Sequence, residues 1–357
     1  MAVTLADVAT RAGVSAATVS RVLSGNYPVA GATRTRVLRA VEELQYVVNG
    51  PASALAAATS DLVGVLVNDI ADPFFGIIAS AVQSEMGQVG ASGTGGQKLA
   101  VVCNTGGAPE SELTYLTHLQ RQRAAAVVLT GSAVEDAKHG AALETRLRRL
   151  AAGGTRIVLC GRPPLAPEQQ GQRDETGGPA TREADTSGTG IGIVTVAFDN
   201  RGGSRRLTEH LLALGHRRIG YVAGPAERTT TRDRLEGHRL ALGERAPELL
   251  ESAEQFTVHG GAYDRSSGYD GALELLRRVP DLTAVLAAND TVALGICAAL
   301  RDEGLRIPED ISVAGFDDLP FSADASPTLT TVRIPLHDAG ARAGRLALGR
   351  EAPPPGG

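Results

Sequence analysis

Tryptophan is absent from this 357-residue chain, aromatic residues make up 3% of it, and methionine occurs twice. Any stacking surface in a binding site therefore falls to phenylalanine or tyrosine. The three cysteines, Cys103, Cys160 and Cys297, each sit in an apolar run. Their odd number and the lack of C-x-x-C spacing exclude a disulfide framework and a cysteine metal site, so they read as reduced core residues of a cytoplasmic protein. No apolar run approaches a membrane span and no signal-peptide pattern precedes the first helix, so neither export nor a membrane partner is expected. The seven histidines (His118, His139, His210, His216, His238, His259, His337) are scattered without metal-ligand spacing. A P-loop, a dinucleotide fingerprint and a G-x-S-x-G elbow are missing too, so the chain is expected to be no enzyme and to need no cofactor or metal. His216, in a turn before a strand, reads as an ordinary hydrogen-bonding turn residue.

The charge that is present is unevenly placed. The chain carries −5 overall, but in residues 1–49 five arginines (Arg11, Arg21, Arg34, Arg36, Arg39) face three acids (Asp7, Glu42, Glu43), a net +2 that leaves −7 for the rest. A positive end on an acidic body points to a small nucleic-acid module. Its sequence agrees. Leu5, Val8, Ala9 and Ala12 recur at helical spacing behind Thr4, a capping residue, and Gly13 supplies the turn. Val14 points inward, Ser15 caps a second helix, and Val19, Val22 and Leu23 face a core while Thr18, Ser20 and Arg21 stay polar. After a loop at residues 24–28, a third helix is expected over 32–45 with Val37, Leu38, Val41 and Leu44 inward.

The run Ala12-Gly13-Val14-Ser15, then Thr18-Val19-Ser20-Arg21-Val22, Thr33-Arg34, and Glu43-Leu44-x-Tyr46 resembles the headpiece of the lactose-repressor (LacI) family of bacterial transcription regulators. The resemblance implies a three-helix helix-turn-helix module over 1–48. Its DNA contacts would be Thr4, Ser15, Thr18, Ser20, Thr33 and Tyr46 on the backbone and Ala16, Ala17 and Arg21 on bases, although packing alone also explains Tyr46. Arg21 has the paired donors that suit a guanine edge. Residues 49–60 then match the family's hinge, a helix formed on the operator, with Asn49 at its start, Ala52 as its small residue and Leu55 as the minor-groove lever. Here Ser53 and Ala54 stand where relatives commonly carry an arginine. A flexible linker is the alternative reading.

From Leu62 the pattern becomes short apolar strands alternating with helices, an α/β rhythm of doubly wound parallel sheets. Strands are expected at 62–67, 99–103, 126–129 and 157–159 in a first sheet, and at 194–198, 219–222, 284–286 and 312–315 in a second. Helices are expected at 201–214, 232–242, 266–278, 291–303 and 338–348. The division is a first lobe over 61–162 completed by 335–349, an inter-lobe disordered insertion over 163–192, and a second lobe over 193–334. Residues 90–96 form a smaller Gly/Ser insertion. The body resembles the family's effector domain, itself related to periplasmic sugar-binding proteins, through Asp72-Pro73-Phe74-Phe75, Phe198-Asp199-Asn200, Arg234-Leu235-Glu236-Gly237, Ala288-Asn289-Asp290 and Gly315-Phe316-Asp317-Asp318. Family members usually continue beyond the last helix into another strand, where this sequence runs into Pro353-Pro354-Pro355, and no heptads suggest a tetramer.

A cleft between the lobes is where such folds hold ligands. The resemblance assigns effector hydroxyls or carboxylates to Arg234 and sugar hydroxyls to Asp317. Asn289 offers donor and acceptor, and Phe74 and Tyr263 offer stacking faces. Asp290, Asp199 and Asn200 read as helix caps and Phe75 as core. Arg162 stands after the fourth strand, where some sugar-binding relatives place an aspartate nearby, and reads either as a contact to an anionic ligand or as solvent-facing. Neutral sugar, sugar acid and nucleobase all stay open. The reading is a homodimeric, cytoplasmic, ligand-responsive regulator, a repressor, on palindromic operator DNA. A solute-binding protein shares the cleft but lacks the headpiece.

Overall fold

The computed structural model describes residues 3–24, 28–46, 60–87, 98–165 and 192–352. The chain divides into two compact units, Met1–Ser60 and Asp61–Gly357.

The first unit holds α1 (Leu5–Ala12), α2 (Ala16–Ser24) and α3 (Gly31–Glu43). Thr4 and Asp7 cap α1 reciprocally, each side chain meeting the other's backbone N–H, which satisfies donors that the first turn leaves open. Gly13 ends α1 at φ 65°, a left-handed conformation that costs glycine nothing. Ser15 accepts from the Thr18 N–H at 3.2 Å and so starts α2. Val8, Ala9, Ala12, Val19, Val22, Val37 and Ala40 form the core, with Val14, Val41, Leu44 and Tyr46 packed around it. Leu38 was expected inward but is 46% exposed. One residue beyond Val37 turns about 100° round the helix, and Ala40 takes the inward place instead. The hinge residues Asn49 and Leu55, the insertion at 90–96 and Pro353 to Pro355 lie outside the described residues.

The second unit carries two parallel sheets. The first has five strands in the order β2-β1-β3-β4-β5: β1 (Leu62–Val67), β2 (Leu99–Asn104), β3 (Ala126–Thr130), β4 (Arg156–Cys160) and β5 (Ile193–Val196). The second has four in the order β7-β6-β8-β9: β6 (Ile219–Ala223), β7 (Thr257–His259), β8 (Ala284–Ala287) and β9 (Ser312–Ala314). Both sheets are covered on two faces, which is why β1, β3 and β6 read as continuous apolar runs.

Two expectations are corrected here. The strand expected at 194–198 in the second sheet pairs with β4 in the first, Cys160 opposite Val196. Residues 193–196 therefore belong with the first lobe, and the insertion before them links two neighbouring strands of one sheet rather than the two lobes. An apolar run carries no address for its sheet. The other correction is β7, which was not expected at all: three residues are too few to show periodicity.

The five expected helices are present, each starting one to three residues earlier than expected, and four further helices stand where none had been specified. They are α4 (Pro73–Gly87), α5 (Pro109–Arg121), α6 (Ala137–Ala152), α7 (Asn200–Ala213), α8 (Thr229–Arg245), α9 (Arg265–Arg278), α10 (Asp290–Asp302), the short α11 (Phe321–Asp324) and α12 (Leu336–Leu348). The last packs against α4 in the first lobe, where Gly340 leaves no room for a Cβ beside the Ile78 carbonyl. Among the described residues no helix is long and apolar enough to cross a membrane.

Candidate functional site

The loops after β1, β3, β4, β5, β6, β7, β8 and β9 meet in a cleft lined by residues from both lobes. Its centre is Arg234 on α8, 4% exposed. The guanidinium donates from Nε to Asn200 Oδ1 at 3.0 Å, from Nη1 to the Ala288 carbonyl and from Nη2 to Asp317 Oδ1 at 2.9 Å. Its Cζ lies 3.7 Å from the Phe316 ring centroid, a cation–π contact in a desolvated place. A guanidinium has five N–H donors. Three are committed to the protein.

Asp317 is 2% exposed and holds φ at 108°, a conformation fixed by bonds from its N–H to the Val332 carbonyl and from the Ile334 N–H to its own carbonyl. Burial pushes its carboxyl up to about 7; Arg234 pulls the other way, and Asp290 and Asp72 add to the rise. Asn289 uses Oδ1 to cap α10 through the Val292 N–H at 2.8 Å, so its amide NH₂ is the group left over for the cleft. Tyr263 lines the cleft with its hydroxyl 2.6 Å from Thr231 Oγ1, and burial raises its phenol.

The first lobe contributes aromatic rings. Phe74 meets Phe75 edge to face at 5.0 Å and Phe198 at 6.2 Å. Gly161, at φ 79°, gives Phe198 its place, since a Cβ there would lie 2.7 Å from the ring.

All five expected effector residues, Phe74, Arg234, Tyr263, Asn289 and Asp317, thus line one cleft. Several neighbours differ from expectation. Asn289, not Asp290, caps α10, while Asp290 is fully buried and ties the Leu319 N–H, Ser322 Oγ and Thr331 Oγ1. Asp199 does cap α7, but Asn200 points at Arg234 instead. Phe75 is core and also lines the cleft. Arg162 neither faces solvent nor lines this cleft: it is 6% exposed and pairs with Glu112 at 2.5 Å, whose other oxygen meets His139 at 3.1 Å. Asn68, Asp72, Ser132, Phe198, Asn200 and Thr230 also line the cleft without having been singled out for it. Only Asn200 carried a usable signal, a second polar residue after a cap that Asp199 already filled. His216 meets Thr283 Oγ1 at 2.9 Å, the turn role expected of it.

In the first unit, Ala16, Ala17, Ser20 and Arg21 lie on the exposed side of α2. Ser15 and Thr18 hydroxyls bond each other at 2.9 Å, Thr4 is engaged with Asp7, Thr33 is half-buried in the first turn of α3, and Tyr46 packs on the core.

Residues 4–49 match the model of bacterial regulatory proteins, lacI family, and residues 208–355 match a periplasmic binding protein-like domain. The HTH-type transcriptional regulator GalS of Salmonella typhimurium is 36% identical over 97% of this chain and 89% of its own length. CelR of Thermobifida fusca, another HTH-type transcriptional regulator, is 33% identical over 97% of this chain and 91% of its own. Among solved structures, the lac repressor dimer bound to operator and the anti-inducer ONPF superposes with a TM-score of 0.72 at 27% identity, covering 99% of this chain and 94% of that one. A CelR–cellobiose complex does so at 0.62 and 30%, covering 99% and 95%. With a helix-turn-helix module at one end and a two-lobed cleft built round Arg234 and Asp317 at the other, the chain belongs to the lacI family of DNA-binding transcription regulators and is not an enzyme.

Proposed function

We propose that the protein is a dimeric repressor that binds a near-palindromic operator and changes its hold on DNA when a sugar or sugar derivative enters the cleft. The observation that carries this reading is the pairing, within one cleft, of a polar floor (Arg234, Asn200, Asn289, Asp317) with an aromatic roof (Phe74, Phe198). A pyranose has that two-sided character, with hydroxyls at its rim and apolar C–H faces. A relative named as a ribose operon repressor, and the cellobiose-bound structure, fit the same class of ligand.

On DNA, the exposed α2 face would enter the major groove. Arg21 reads a base edge, Ala16 and Ala17 permit close approach, and Ser15, Thr18, Ser20, Thr4, Thr33 and Tyr46 position the backbone. Asn49 and Leu55 would serve the hinge between the two half-sites. Ligand binding biases lobe closure and with it the spacing of the two heads.

The experiment is binding of the purified chain to DNA upstream of its own and neighbouring genes, titrated with sugars, sugar acids and purines. Ligand-dependent release or tightening at a near-palindromic site is expected. Binding that no ligand in the panel alters would contradict the sugar reading, and an absence of operator binding would overturn the repressor reading.

A further inference from the structure

The two lobes are joined covalently at the crossovers around 196–200 and 315–335, but at another place they meet without any covalent link. The loop after β3 and the loop after β6 pair as a short antiparallel bridge between Val134 and Arg228. The Thr229 N–H donates to the Ala133 carbonyl at 3.1 Å, and the Ala133 N–H donates to Thr229 Oγ1 at 3.1 Å. The Glu135 N–H donates to the Glu227 carbonyl at 2.7 Å. Side chains reinforce the pairing: Arg228 Nη2 donates to the Gly107 carbonyl at 2.7 Å, and Arg232 forms an ion pair with Glu135. Asp233 accepts from Arg232 Nε at 2.9 Å and Nη2 at 2.7 Å, which holds the guanidinium flat toward Glu135.

These bonds sit directly beside the cleft. Gly131 and Ser132, just before the bridge on one side, and Thr230, just after it on the other, all line the cleft. Every bond in the set runs between groups of this chain and needs nothing in the cleft to form. We infer that residues 133–135 and 227–232 are a clasp that closes the cleft through bonds made within the chain alone, with Arg232 and Glu135 as its gating pair.

The consequence is kinetic as well as energetic. Ligand entry and exit require the clasp to open, and the closed form that holds a ligand is stabilised in advance by contacts the ligand does not make. This deepens the reading of the cleft as the effector site by naming what controls its access. Because the ion pair is half exposed, at 52% for Arg232 and 31% for Glu135, its share is that of a surface pair.

The test uses the full-length, ligand-free protein after exhaustive dialysis, so it does not depend on knowing the effector or the operator. Hydrogen exchange is followed by mass spectrometry on peptides covering 131–137 and 225–231, whose Ala133, Glu135 and Thr229 amides are bonded across the cleft. Protection of these amides is expected in the wild type. Glu135→Gln or Arg232→Gln should each speed their exchange roughly two- to five-fold, the range for an exposed ion pair. The double variant should be no faster than either single one, and peptides within β3 and β6 should be unchanged. Exchange of the three amides at unprotected rates in the wild type would overturn the clasp. So would single variants that exchange like the wild type, or a double variant whose effect is the sum of two independent ones. In any of those cases the operator and sugar reading would stand or fall by its own titration.

Discussion

On the second lobe's side of the cleft the polar groups are tied to one another before any ligand arrives: Arg234 to Asn200, Ala288 and Asp317, and Asn289 to its own helix. On the first lobe's side, Phe74 and Phe198 touch only edge to face at 6.2 Å and stay half-buried. The difference separates two tasks. A braced floor has lost its conformational freedom during folding, so a ligand bound there as proposed would not have to order it. A roof of rings supplies area and shape with little directional demand. On the proposed function, selectivity would belong mainly to the floor and general affinity to the roof.

The comparison predicts unequal damage. Arg234→Ala leaves three buried acceptors, on Asn200, Ala288 and Asp317, without their donor and opens a hole beside Phe316, which together should cost about 3–5 kcal/mol. Chemical denaturation of the variant should show that loss, and a loss under about 1 kcal/mol would mean that the floor is not braced as described. Gly161→Ala acts on the roof. Both the positive φ and the 2.7 Å approach to Phe198 oppose a Cβ, so stability should fall by about 1–3 kcal/mol. Ligand affinity should fall with it as Phe198 is displaced. Phe74→Ala removes a half-buried ring, and with the sugar found in the titration its affinity should weaken by about tenfold, close to 1.4 kcal/mol. Relative preference among epimeric sugars should survive, whereas a lost preference would place selectivity in the roof.

The headpiece was readable because its signals are local: Thr4, Gly13 and Ser15 act on residues three or four positions away. Arg234 and Asp317 were readable as cleft residues only through family resemblance, since nothing in their spacing brings them together, whereas Phe74, Tyr263 and Asn289 were picked for the stacking and hydrogen bonding their side chains offer. What escaped was long-range. β5 looked like any short apolar strand, and its pairing with β4 is a tertiary fact. Asn200 resembled a cap because it follows Asp199, and its partner Arg234 lies on another helix. Arg162 kept two readings because Glu112, the group that answers it, stands far back on α5.

The last effect is one of slope, and it isolates Asp317, the acid that bonds Arg234. Asp317 ionises near 7 in the folded protein because burial disfavours its charge more than Arg234 restores it. In the unfolded chain an aspartate ionises near ~3.9. Between those values the folded state keeps a proton that the unfolded state has released, so folding takes up a proton and stability falls as pH rises through the window. Asp317→Asn carries a neutral amide at every pH and lacks that contribution. The unfolding temperature of the wild type relative to the variant should therefore be highest near pH 5 and decline toward pH 8, whatever constant offset the lost ion pair adds. A relative stability that instead stays level over that range would mean that Arg234 outweighs burial and that Asp317 is charged throughout, since neither state would then hold a proton to lose, and the floor would carry a fixed carboxylate acceptor rather than a group that can also donate.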